Sequence, residues 1–118
     1  MVAMMLVGAL TSCGGSSSST PTAAVVADVV VTTKSGIRLD QTSYTASSGN
    51  ISIAYVNDDT IHHVLVIVKD GTKVAGFELQ VSRKGDVDQG TVKLEPGTYE
   101  LMCTVPGHQS MKADFTIT

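Results

Sequence analysis

The chain has 118 residues, 42% of them hydrophobic and 16% charged, and a formal net charge of −3. That is room for one domain with a packed core, and it excludes a chain disordered throughout. No basic run exceeds Arg83-Lys84, Trp is absent, and the aromatics are three Tyr and two Phe, which leaves nucleic acid without an electrostatic footprint or a stacking platform.

Met1 to Leu10 are apolar or small throughout. Such a stretch is too short to span a bilayer and suits the hydrophobic region of a signal peptide. It runs into Leu10-Thr-Ser-Cys13, which resembles the lipobox of bacterial lipoproteins, where the cysteine is acylated and becomes the mature N-terminus. The resemblance implies a signal peptide and lipobox over residues 1–13, lipidation of Cys13, and attachment to a bacterial membrane on its periplasmic or extracytoplasmic face. No Lys or Arg precedes the apolar stretch, a departure from the usual signal pattern. Residues 14–22, GGSSSSTPT, read as a flexible Ser/Gly-rich linker, leaving residues 23–118 as the folded domain. Nothing in that tract would hold Cys13 in the tight geometry a disulfide to Cys103 requires, so each cysteine is read alone.

Ala24 to Thr33 is rich in β-branched residues and reads as a strand. Ile37-Arg-Leu-Asp leads to Tyr44, and Ser47-Ser-Gly-Asn is a turn. Ile51 to Val56 alternates at period two, as a half-buried strand does. Asn57-Asp-Asp turns again, and Val64 to Val68 is continuously apolar, which predicts a strand covered on both sides. Lys69-Asp-Gly-Thr is a turn, Phe77 to Val81 a short strand, and Ser82 to Gly90 a polar loop. Thr91 to Leu94 alternates, Glu95-Pro-Gly-Thr turns, Tyr99 to Cys103 alternates, and Lys112 to Thr118 closes the chain. Seven or eight short strands with frequent turns and no helical periodicity predict an all-β, Greek-key sandwich.

The residues that carry chemistry cluster in Cys103-Thr-Val-Pro-Gly-His108-Gln-Ser-Met111. A thiolate, an imidazole and a thioether lie within nine residues, on a loop between two predicted strands. His62 and His63 stand far upstream, at a strand entrance. Two His and one Cys in a trigonal plane, with a weak axial Met, are the donors of blue copper sites. Adjacent strand residues face opposite sides, so one of His62 and His63 can join such a set.

With these residues the domain resembles the cupredoxins, the type 1 blue copper proteins related to plastocyanin, amicyanin and azurin. The resemblance spans nearly all of residues 24–118. It rests on Ala46-Ser-Ser-Gly before a strand, on Asn57-Asp-Asp-Thr-Ile-His-His-Val-Leu-Val-Ile, on Leu94-Glu-Pro-Gly-Thr-Tyr-Glu-Leu-Met-Cys, and on Val105-Pro-Gly-His. It implies one copper ion per chain, cycling between Cu(I) and Cu(II), on His63, Cys103, His108 and Met111. Alignment with the family's pattern favours His63 over His62. Cys103 would give the short thiolate bond, Met111 the axial contact, and His108 the exposed exit for electrons. Backbone N–H groups just after Cys103 would bond the sulfur. Two departures stand out: only Gln109 and Ser110 separate His108 from Met111 where many members have four residues, and Val64 follows His63 where many have a polar residue.

The expected role is a monomeric one-electron carrier outside the cytoplasm, docking redox partner proteins through the surface around His108. Copper storage or delivery is the alternative, though the Met-rich or His-rich tracts that would favour it are lacking. Copper oxidases and reductases of this superfamily use further copper centres, so no enzyme activity is expected. Asp58, Asp59 and Asp70 are candidates for steering a basic partner.

Overall fold

The computed structural model describes residues 26–108 and 110–118; the lipobox, Cys13 and the linker lie outside the described residues. Ten strands follow in chain order: β1 (Val29–Lys34), β2 (Arg38–Leu39), β3 (Ser43–Ala46), β4 (Gly49–Asn57), β5 (His63–Lys69), β6 (Thr72–Lys73), β7 (Leu79–Val81), β8 (Val87–Leu94), β9 (Gly97–Met102) and β10 (Lys112–Ile117). There is no helix among the described residues. β2 and β6 are two-residue pairings, and setting them aside leaves eight, within the expected seven or eight strands.

Alternation decides which side chains meet. Ile51, Ile53, Tyr55 and Asn57 on β4 are all buried, as are Tyr99 and Leu101 on β9 and Ala113, Phe115 and Ile117 on β10. With Val29, Val31, Leu65 and Ile67 the apolar ones among them form the layer between two sheets. Each fully buried aliphatic side chain there contributes about 1.5–3 kcal/mol. One sheet runs β2-β1-β4-β8; the other runs β3-β10-β9-β5-β6, with β7 pairing β5. Two parallel pairs, β1 with β4 and β3 with β10, sit among antiparallel neighbours, the mark of a crossed-over rather than meandering chain. β5 buries Val64, Leu65, Val66 and Ile67 in succession, as its unbroken apolar run predicts.

β1 begins at Val29, so the predicted strand over Ala24 to Thr33 starts later than expected. The larger difference is β8, which takes in Val87 to Gly90, the last four residues of the segment read as a polar loop. It pairs antiparallel with β4 over its whole length, from Val87 opposite Val56 to Leu94 opposite Gly49. β8 is an edge strand, and only Val92 and Leu94 on it are buried. Its polar first half is therefore held by ladder hydrogen bonds and not by an apolar face. Gly90 lets the Phe77–Leu79 segment lie against this edge: a Cβ there would come 3.2 Å from Leu79 Cδ2.

The result that matters for function is polarity. β4 ends, β5 begins, β9 ends and β10 begins at one pole of the sandwich. The described chain joins the sheet partway along β4, with Val29 opposite Ile53, and runs toward that pole; Asp28 N–H donates to the Ser52 carbonyl and Ser52 N–H to the Asp28 carboxylate.

Candidate metal centre

His63 is the first residue of β5, and Cys103 directly follows the last residue of β9. Strand pleat turns both inward: His63 is 0% and Cys103 3% exposed. The neighbouring His62 points outward, and its Nδ1 lies 3.2 Å from Ser82 Oγ at the surface. His63 is thus the histidine that faces the core pole, as the family pattern implies.

The loop after Cys103 is built from local hydrogen bonds. His108 N–H donates to the Val105 carbonyl at 2.9 Å. Pro106 and Gly107 occupy the corners of that turn, and Gly107 has φ +89°, a conformation that suits glycine at the second corner of a type II turn. Met111 N–H donates to the His108 carbonyl at 2.9 Å, and Cys103 N–H donates to the Met111 carbonyl at 3.1 Å, closing the loop's base. These bonds set His108 back against the other donors, leaving 7% of it exposed. Met111 is wholly buried, its backbone tied to both Cys103 and His108.

One donor atom each from His63, Cys103 and His108 lies within 4.8 Å of the other two. Cys103 Sγ is 3.6 Å from His108 Nδ1, and the two imidazole centroids are 5.0 Å apart, inclined at 42°. A metal at about 2.0 Å from nitrogen and 2.3 Å from sulfur, with trigonal angles, separates those atoms by roughly 3.7 Å. His63 Nδ1 is buried without a hydrogen-bond partner. Such an orphan costs about 1–3 kcal/mol unless something occupies it. Two imidazole nitrogens and a thiolate are the donors that suit copper, so the residues present fit that ion. Burial, and then the adjacent His63, lower the pKa of His108 below its usual value.

Two supporting contacts were not foreseen from the sequence. Nε2 of His63 is 3.0 Å from the Asp59 carboxylate, and Asp59 is only 8% exposed. Asp59 is therefore part of the site and does not serve as a surface acid for steering a partner. Its pKa is lowered, first by the bond it accepts from Thr60 N–H and further by that to His63. Asp58 remains exposed, paired with Lys34 at 3.1 Å and Lys84 at 3.7 Å.

The second contact concerns the sulfur. Among the described residues its backbone donor is Val64 N–H, at 3.5 Å, from the opposite ligand segment and not from the residues following Cys103. The main chain of Val64 thus links the two ligand segments where its side chain cannot. Asn57 does the remaining bracing. Its Oδ1 accepts from Thr33 Oγ1 at 2.6 Å and from Asp59 N–H at 3.0 Å, while its Nδ2 donates to the carbonyls of Ile61 and Arg83.

No protein-family model matches the chain, and no curated protein matches it by sequence. Solved structures do match. Auracyanin A, a "blue" copper protein from the green thermophilic photosynthetic bacterium Chloroflexus aurantiacus, superposes with a TM-score of 0.66 at 20% identity, over 75% of this chain and 96% of that one. A purple cupredoxin from Nitrosopumilus maritimus gives 0.61 at 17% identity, over 77% and 100%. The reduced Cu(I) form of an amicyanin variant gives 0.59 at 16%, over 80% and 86%. The chain has the all-β fold of these proteins.

Proposed function

We propose that this chain is a small blue copper protein that carries single electrons, held at the outer face of a bacterial membrane by lipid on Cys13. The observation that carries the copper reading is the convergence of His63, Cys103 Sγ and His108 Nδ1 at one buried pole, with His63 Nδ1 left unpartnered by the protein. His63, Cys103 and His108 would hold the ion and Met111 would supply the weak axial sulfur. Bound there, copper would supply a Cu(I)/Cu(II) couple.

The chain's own residues account for the rest. Cys103 and His63 sit on strand ends, and His108 and Met111 are fixed by the turn bonds that close the loop. Donors anchored in this way move little between two charge states, and little movement suits fast transfer. Burial of all four side chains keeps water from the donors. His108 is the least buried of the four, at 7%, on the turn it shares with Val105 and Pro106, a small apolar rim suited to brief docking of a redox partner. The named neighbours, a blue copper protein and a Cu(I) amicyanin among them, support the same reading.

The test is the visible absorption spectrum of the soluble domain after addition of Cu(II), repeated on Cys103→Ser. An intense charge-transfer band toward the red, lost in the variant, is the expected result. Copper bound without that band would instead favour storage or delivery, and no binding would overturn the metal reading.

A further inference from the structure

We propose that Asp59 is the positioning residue of the metal centre: its carboxylate fixes the tautomer of His63 so that Nδ1 presents a lone pair to the site, and its charge favours the more oxidised ion. The inference rests on the copper reading for its second half and on geometry alone for its first.

A neutral imidazole carries one proton and one lone pair on its two nitrogens, and which is which follows from the hydrogen bonds it makes. A carboxylate can only accept. With Asp59 Oδ2 at 3.0 Å from Nε2, the proton of His63 belongs on Nε2, and the buried, unpartnered Nδ1 is the nitrogen left to join Cys103 and His108.

Asp59 is itself held on two sides. Its N–H donates to Asn57 Oδ1, and its other oxygen accepts Thr60 N–H at 2.7 Å. The chain of bonds Thr33–Asn57–Asp59–His63 thus runs from β1 to the ligand ring. Carboxylate–histidine–metal arrangements of this kind raise ligand basicity and orient the ring. The charge adds a second effect. A doubly positive ion is balanced by the Cys103 thiolate and the Asp59 carboxylate together, whereas a singly positive ion leaves one negative charge in excess inside a buried site. Asp59 therefore stabilises Cu(II) relative to Cu(I) and lowers the reduction potential.

The experiment compares the native domain with Asp59→Asn and Asp59→Ala, first metal-free and then with Cu(II) or Zn(II) alone. In metal-free native protein, long-range proton–nitrogen NMR should report the Nε2–H tautomer for His63. Asp59→Asn can still accept that proton through its amide oxygen, so its tautomer and its red band should persist. Its Cu(II) affinity should fall about 10- to 100-fold, the usual cost of removing an outer partner of a ligand. Each tenfold loss on Cu(II) not shared by Cu(I) raises the potential by 59 mV, the one-electron conversion. Asp59→Ala should in addition lose the single tautomer.

An Nδ1–H tautomer in the native protein overturns the inference. So do folded variants with unchanged tautomer, affinity and potential. A native domain that binds neither Cu(II) nor Zn(II) would instead end the copper reading, and the tautomer alone would then decide whether Asp59 positions the ring. Should either variant fail to fold, the native tautomer still decides.

Discussion

At the scale of single residues, the site divides into donors that the sequence displays and partners that it hides. Cys103, His108 and Met111 stand in one short loop, and the pleat of a strand selects His63 from the His62-His63 pair. Asp59 was hidden because Asn57-Asp58-Asp59 reads as an ordinary polar turn. Whether its carboxylate faces solvent or the ligand ring depends on how Asn57 folds the turn, through bonds to Thr33, Ile61 and Arg83 that are distant or invisible in one dimension. Met111 is the donor whose two possible contributions, packing and ligation, can be separated by substitution. It is fully buried, so Met111→Ala should cost about 2–5 kcal/mol of stability as a cavity opens. Met111→Leu conserves volume and should cost less than about 1.5 kcal/mol. If the thioether touches copper, the Leu variant should keep the charge-transfer band but show a higher reduction potential, because a weak donor to Cu(II) is gone. Urea unfolding and voltammetry on the two variants check this; an unchanged potential in a folded Leu variant would leave Met111 a packing residue.

At the scale of elements, period-two alternation located most strands, because those strands have one face in the core. It failed for the first half of β8, where the edge position removes the apolar face and side chains of loop residues take over. Asp86 shows how. Its Oδ2 accepts the N–H groups of both Ser82 and Arg83, shaping the turn that returns the chain to β8. That turn also presents the Arg83 carbonyl to Asn57, so it braces the ligand segment from behind. The bonds from Ser82 and then Arg83 lower the Asp86 pKa below 3.8. A carboxylate depressed on folding contributes stability above its unfolded pKa, and that contribution is lost as pH falls through the folded value. Native protein should therefore lose stability below about pH 4, and Asp86→Asn should be less stable at neutral pH with a shallower loss on acidification. Asp58 and Asp59 are shifted in the same direction, so the comparison between native and variant, by thermal unfolding across this range, isolates the share due to Asp86. Parallel curves would remove Asp86 from the acid response.

At the scale of the whole molecule, the parallel pairing of β1 with β4 has a consequence for orientation. Val29 lies opposite Ile53 and Thr33 opposite Asn57, so the chain climbs from its entry at Asp28 toward the metal pole. Val29 to Thr33 covers five paired positions, roughly 13 Å at strand rise. A Ser/Gly-rich linker the length of residues 14–22 adds an average reach of about 15–18 Å. With acyl chains on Cys13, β1 would lead away from the bilayer toward the metal pole, leaving His108 facing away from the lipid. A partner so addressed would be soluble, or a membrane complex with a projecting domain. Neutral phospholipid vesicles carrying the lipidated, reduced protein test the arrangement. A small hydrophilic oxidant confined to the outer solution should oxidise vesicle-bound and soluble domains with the same second-order rate constant, since the rim around His108 is open in both. Cys13→Ser should leave the vesicles altogether, because burial of acyl methylenes is what holds the chain there. A several-fold slower oxidation on vesicles would mean that the metal pole lies against the lipid. The rim of Val105 and Pro106 would then be a membrane contact in place of a docking surface.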